Sequence, residues 1–264
     1  MSAPARSHGP LGDVVLQTEH LFKRFGGITA TSDVSLAVRR GARHALIGPN
    51  GAGKTTLINQ LTGVMAPTSG RVLLGGRDIT RLAPHKRVGL GLARTFQISQ
   101  LYASFTPTQS LALAVGGRRG VAWRWWRTMG HDEAIADEVA LLLEQFRLSE
   151  MADRPTRELP YGKRRLLEIA MAVALKPEVL LLDEPAAGVP AAERQDILDT
   201  VAALPAEVTV VLIEHDMDLV FSFANWITVL VNGALLTEGP PRQIADDPQV
   251  RAVYLGETEL KHHG

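Results

Sequence analysis

Apolar and polar positions along this chain change their period several times, and each change marks an element. Val14–Thr18 and Ser35–Val38 alternate every second residue, as half-buried strands do, with a Gly26-Gly27 turn between them. His44–Ile47 is a short apolar strand running into a glycine-rich loop, and Thr55–Leu61 beyond it has helical spacing. Val72–Leu74 predicts another strand, closed by Gly75-Gly76. Apolar positions recur at helical spacing from Val139 to Phe146 and again over Lys163–Leu175. In the second of these, Leu166, Leu167, Ile169, Ala170, Val173 and Ala174 form a broad face to bury. Val179–Leu182 is apolar throughout, as in a strand covered on both sides. Helix and strand then alternate through Ala191–Ala203, Val208–Ile213, Asp216–Ala224 and Trp226–Val231.

The alternation predicts an α/β fold in which parallel βαβ units follow an antiparallel β portion at the N-terminus. The stretch from about Gln100 to Glu158 is helix-rich and interrupts it, as an inserted helical subdomain does. Inside that stretch, Arg118–Arg127 carries Trp123, Trp125 and Trp126 among four arginines. Two readings stand: an amphipathic insertion packed on its own domain, or a contact with a membrane-embedded partner near the lipid headgroups. Residues 1–12 read as a disordered tail, 13–257 as one domain and 258–264 as a C-terminal tail.

Composition narrows the classes. With 264 residues, 45% hydrophobic and 21% charged, the chain can bury a sizeable core. Its 28 basic and 28 acidic side chains cancel, so nothing advertises a nucleic-acid partner. The absence of cysteine excludes disulfides, thiolate metal sites and cysteine nucleophiles. No apolar stretch reaches the roughly 18 residues of a membrane span, and residues 1–12 lack the apolar block of a secretory signal. A connection to a membrane would therefore run through a partner.

Two segments carry chemistry. Gly48-Pro49-Asn50-Gly51-Ala52-Gly53-Lys54-Thr55, followed by Thr56, fits G-x-x-x-x-G-K-[ST] between a strand and a helix. Its glycines let successive backbone N–H groups wrap a phosphate, and the helix N-terminus adds positive potential. Lys54 supplies a full charge to the outer phosphates, and the Thr55 hydroxyl suits Mg²⁺. The second segment, Val179–Glu184, is an apolar strand ending in two acids. In open α/β sheets ligands gather at that end of the strands. Asp183 suits the Mg²⁺ shell, and Glu184 suits a base that orients or deprotonates water. His215 follows Val208–Ile213, whose end would lie beside Asp183 and within reach of a terminal phosphate. Gln97, in Arg94-Thr95-Phe96-Gln97, has no distinctive meaning by itself.

Taken in order, these residues resemble the ABC transporter ATPases, and the resemblance runs from Val14 to Gly256. The phosphate loop, Gln97, the signature segment Leu159-Pro160-Tyr161-Gly162-Lys163, Asp183-Glu184 and His215 share that family's order and spacing. The resemblance implies a P-loop NTPase core that hydrolyses Mg²⁺-bound ATP. It implies Phe25 stacked on adenine, Gln97 at the metal and coupling the nucleotide to a permease, and His215 as the switch histidine. It also implies a head-to-tail dimer, with itself or a related ATPase, in which Tyr161, Gly162 and Lys163 of one chain cover the nucleotide of the other. Residues 24–27, 94–97 and 184–188, Tyr161-Gly162 and the segment Tyr254-Leu255-Gly256-Glu257 are more particularly similar to the ATPases of branched-chain amino acid importers. Those sit on the cytoplasmic face of the membrane and are served indirectly by a periplasmic solute-binding protein.

Urea importers share much of this pattern. Lipopolysaccharide-export ATPases share the tail but ordinarily lack Arg-Thr-Phe-Gln and the insertion. ABC ATPases of DNA maintenance or the ribosome carry long coiled coils or tandem cassettes, which this chain lacks. Two departures stand out. Pro160 occupies a position ordinarily filled by Ser or another small residue, and has neither hydroxyl nor N–H. Pro190 replaces an Asp or Asn. Both bear on the contacts across the dimer, and they keep open the reading of a catalytically weak regulatory subunit.

Overall fold

A computed structural model describes residues 13–95, 101–121 and 132–260. The chain opens with a long hairpin, β1 (Val14–Phe25) and β2 (Ile28–Val34), turning at Gly26-Gly27. β1 also pairs antiparallel with β3 (Ala37–Arg39) and β5 (Ser69–Leu74), and β5 pairs with β6 (Arg77–Asp78). This is a five-stranded antiparallel sheet. β1 runs well past Thr18 because its alternation is broken rather than ended. His20 adopts a left-handed φ of 47°, and the register slips around it, which returns Leu21 to the buried side.

A second sheet has six strands in the order β11-β10-β4-β9-β8-β7. β4 (Arg43–Ile47), β7 (Leu92–Arg94), β8 (Val179–Asp183), β9 (Thr209–Ile213) and β10 (Trp226–Val231) are mutually parallel, and β11 (Ala234–Gly239) returns antiparallel along β10. Every residue of β4, β8 and β9 is buried, as the continuous apolar runs require. Leu46, Leu181, Val211 and Ile213 face the antiparallel sheet and helix α1 (Lys54–Thr62). Leu180, Leu182, Val210 and Leu212 face the helical side.

Among the described residues the further helices are α2 (Pro84–Val88), α3 (Pro107–Arg118), α4 (Glu133–Gln145), α5 (Tyr161–Ala174), α6 (Ala191–Ala202), α7 (Met217–Phe223), α8 (Pro241–Asp246) and α9 (Pro248–Leu260). Helices α3 and α4, with 3-10 turns at Ser149–Met151 and Thr156–Glu158, occupy the predicted helical stretch. Leu111, Val115, Val139, Leu143 and Phe146 join them to α5 in one apolar cluster with the sheet. Trp123, Trp125 and Trp126 lie outside the described residues.

Candidate functional site

The parallel order places β10, β4, β9, β8 and β7 side by side, so the loops leaving their C-terminal ends share one edge. β4 delivers the loop that starts at Gly48, β9 delivers Glu214 and His215, and β8 delivers Asp183 and Glu184. β7 delivers Thr95, whose N–H donates to the Leu181 carbonyl (3.0 Å). Gln97 follows two residues later and lies outside the described residues. Asp183 stands opposite Ile213 in the β8–β9 register, which sets Glu184 beside the turn into His215.

The glycine-rich loop is wedged between strands β2 and β10. A Cβ at Gly48 would strike the Leu230 carbonyl, and one at Gly53 would strike the Ala30 carbonyl, so no side chain fits at either position. Both have positive φ, 152° and 96°. The Gly233 N–H donates to the Ala52 carbonyl (2.9 Å) and locks the loop to the β10–β11 turn. Gly53 is the N-cap of α1, with no side-chain cap and no acid in the first turn. The start of α1 thus presents backbone N–H groups and positive potential with no competing side chain, which suits an anion. Lys54 Nζ folds over the loop and donates to the carbonyls of Gly48 and Pro49 (3.0 Å). Thr55 is exposed at the mouth and Thr56 half-buried. Phe25, at the tip of the hairpin whose β2 carries Ala30, is 47% exposed, with Lys23 Nζ 5.1 Å from its ring centroid.

The acidic half is anchored from several sides. Asp183 is buried and pairs with Arg94 (2.7 Å), which also donates to Asn59 Oδ1 on α1 (2.7 Å). Glu184 has a left-handed φ of 48°, and its N–H is held by the Ile213 carbonyl (2.9 Å). His215 Nδ1 lies 4.0 Å from Glu184 Oε1. Behind them sits Glu214, 2% exposed, whose carboxylate accepts from the N–H groups of Ala186 and His215, each at 3.3 Å. Burial pushes the Glu214 carboxyl above its usual range, and those two N–H bonds resist the shift.

The segment Leu159–Lys163 lies on the helical side. Pro160 is the N-cap of α5, with no side-chain cap. Tyr161 is 41% exposed and packs on Gly188, while Gly162 sits against the Glu193 carboxylate. Lys163 Nζ turns back to the Arg147 carbonyl (2.8 Å). Arg165, buried on the same helix, pairs with Glu168 (2.8 Å) and donates to the Glu184 carbonyl (3.4 Å). Pro190 likewise caps α6 without a side-chain acceptor.

The structure therefore gathers the phosphate loop, Asp183, Glu184 and His215 at one edge, and sets Tyr161–Lys163 against the loop that follows Glu184. Sequence reasoning passed over Arg94, Arg165 and Glu214. Glu214 left one signal, since a carboxylate directly after a five-residue buried strand needs a partner or a task.

Residues 31–187 match the ABC transporter family, and residues 234–259 match the branched-chain amino acid ATP-binding cassette transporter family. Over 255 residues the chain is 41% identical to the high-affinity branched-chain amino acid transport ATP-binding protein BraF of Pseudomonas aeruginosa, covering 92% of this chain and 98% of that protein. It is 38% identical over 251 residues to the corresponding LivG protein of Salmonella typhimurium, with the same coverage. Among solved structures, the ADP conformation of MJ1267, an ATP-binding cassette of an ABC transporter, superposes with a TM-score of 0.80 at 32% identity. That match covers 92% of this chain and 99% of the other.

Proposed function

This chain belongs to the ATP-binding proteins of ABC transporters, and we propose that it hydrolyses ATP to drive import of branched-chain amino acids through membrane-embedded permease subunits. The observation that carries the reading is the convergence, on one sheet edge, of an anion-binding loop, a buried carboxylate, a half-exposed carboxylate and a histidine. Among the described residues no helix is long and apolar enough to cross a membrane. In this reading the permease holds the chain at the cytoplasmic face.

In this reading the backbone N–H groups of Gly48 and Asn50–Thr56 hold the phosphates, with Pro49 shaping the turn between them, and Lys54 leaves the carbonyls it now contacts to meet their charge. Among the described residues no group of three or more His, Asp or Glu could hold a metal unaided. Thr55 and Asp183 offer hard oxygen donors, the kind Mg²⁺ takes when phosphates complete its shell, and Gln97 belongs to the same set. Bound Mg²⁺ would offset phosphate charge. Glu184 orients and deprotonates the attacking water, with His215 beside it at the terminal phosphate. The exposed Phe25 ring offers adenine a stacking face. Tyr161, Gly162 and Lys163 serve the nucleotide of a second ATPase chain, and residues near Gln97 meet the permease. A periplasmic solute-binding protein enters the cycle only through that permease.

Glu184→Gln tests the assignment. It should preserve ATP affinity and lower turnover by about a hundredfold or more. Turnover near wild type in the permease complex would remove Glu184 from the role of base. A wild-type chain that binds ATP but does not turn it over in that complex would instead identify a regulatory subunit, the reading that Pro160 and Pro190 favour.

A further inference from the structure

Glu214 has no part in the proposed reaction, yet it is as deeply buried as Asp183, both being 2% exposed. Removing a carboxylate from water is unfavourable unless hydrogen bonds replace the solvent. Its two oxygens are divided between two loops. Oε1 accepts from the Ala186 N–H, two residues after Glu184, and Oε2 from the His215 N–H, each at 3.3 Å. Oε2 also lies 3.8 Å from His215 Nδ1. We infer that Glu214 is a positioning residue of the ATP site, clamping the backbone after Glu184 to the backbone of His215.

The clamp addresses a specific instability. β8 and β9 stop pairing at Asp183 and Ile213, with a last tie from the Glu184 N–H to the Ile213 carbonyl. Beyond that point sheet hydrogen bonds no longer fix the distance between the two loops. Glu184 has also left the strand in a left-handed conformation that a non-glycine residue holds only when its surroundings enforce it. A carboxylate is suited to the gap because both oxygens only accept, and both facing groups are N–H donors. Glutamine has the same size but must turn its NH₂ toward one of those donors. The Glu184–His215 separation of 4.0 Å would then be free to vary. The same carboxylate steadies Ala186, and with it the turn in which the Val189 N–H donates to the Ala186 carbonyl (3.2 Å). That turn leads to Gly188 and the Tyr161 ring packed on it.

This inference rests on the reading that Glu184 and His215 act in hydrolysis, and its test is chosen to separate the two. In the full chain, Glu214→Gln should lower kcat by about ten- to a hundredfold, the scale of losing a hydrogen bond to a charged group. KM and ATP affinity should stay within about threefold, because the phosphate loop is untouched. The amide resonances of Ala186 and His215 should shift, which reports the clamp without reference to activity. Introduced into a His215→Ala chain, Glu214→Gln should cost less than about threefold further, since without the imidazole the Glu184–His215 separation that the clamp sets no longer bears on turnover. Glu214→Asp, which keeps two acceptors at shorter reach, should fall between wild type and Gln, and it decides the matter if the Gln chain does not fold. Unchanged kcat with unmoved amide resonances, or losses that multiply fully in the double variant, would overturn the inference. If His215→Ala and Glu184→Gln themselves keep wild-type turnover, the reading of the site fails, and the amide shifts still report whether the clamp exists.

Discussion

His44 should make the stability of this protein fall as the solution is acidified, and its environment sets the size of the effect. It lies in the middle of the parallel sheet on β4, four residues before the first glycine of the phosphate loop, and is 1% exposed. Nε2 meets Thr228 Oγ1 at 2.8 Å, and burial lowers the imidazole from 6.5 to about 4. The proton is therefore taken up by the unfolded chain well before the folded one. Below the unfolded value, folding requires that proton to be released. The stability contribution is intact at neutral pH, erodes as pH falls from 6.5 toward about 4, and levels off below. Lowering the imidazole from 6.5 to about 4 corresponds to about 3 kcal/mol in the acid limit, and about 2 kcal/mol of that is lost between about pH 7 and about pH 5.

The assay is equilibrium urea unfolding of the wild type and His44→Asn across that range. Asparagine can still meet Thr228 but does not titrate, so its packing penalty should not vary with pH. The gap between the two proteins should narrow by about 2 kcal/mol on acidification over that interval. Comparing the pair matters because Glu214, raised by burial, loses stability in the opposite direction as pH rises through its own value. That slope is common to both proteins and cancels. A gap constant to within about 0.5 kcal/mol would show that His44 is solvated or protonated in the folded chain, and would refute the argument.

Two further outcomes follow from the site. Lys54→Ala should weaken ATP binding and slow hydrolysis together, because its charge serves bound phosphates and transition state alike; a direct titration and a turnover assay both at wild-type values would contradict the phosphate-loop assignment. Pro160→Ser should leave the unfolding midpoint nearly unchanged, since a new N-cap gains about 1 kcal/mol while the lost proline rigidity gives back about 0.4–1 kcal/mol. Against that level background turnover of the assembled transporter should rise about tenfold from the added contact to phosphate, and no rise would mean that the backbone N–H groups of residues 161–163 already suffice.

The parallel half of the fold was open to a reading from pattern alone, because strands buried on both faces are written as unbroken apolar runs. Val179–Asp183 and Trp226–Val231 fall within a residue of the expected bounds. The antiparallel half was harder. The slip at His20 breaks the alternation that marks β1, and β7 has only three residues. Helix α3 carries a signature that could have been found: Thr106 and Gln109 form a capping box around Pro107 at the first helical position. The phosphate loop and Asp183-Glu184 were legible because their chemistry is local in sequence. Arg87 was not. It is buried with its guanidinium on the carbonyls of Gln60, Leu61, Thr80 and Leu82, closing the C-terminal end of α1 from 26 residues away. Arg94 on Asp183 and Glu214 on Ala186 are long-range in the same way.

Those long-range ties bear on how two ATP sites would act together. In the proposed dimer, the segment Tyr161–Lys163 serves the partner's nucleotide while Glu184 serves this chain's own. Within one chain the two are joined by short steps. Arg165, four residues into the helix that Tyr161 begins, donates to the Glu184 carbonyl (3.4 Å). Tyr161 packs on Gly188, and Gly188 lies in the turn that Glu214 steadies through Ala186. In the proposed dimer, a shift of Glu184 as its nucleotide is hydrolysed would therefore press on α5 and on the Tyr161 ring through these short steps. Close-packed protein interiors transmit such displacements rather than dissipate them. Pro160 adds to the stiffness, because its fixed φ leaves the entry to α5 little freedom to yield. In the proposed dimer, a proline there would remove a hydrogen-bonding group from the partner's site and at the same time tighten the mechanical link between the two.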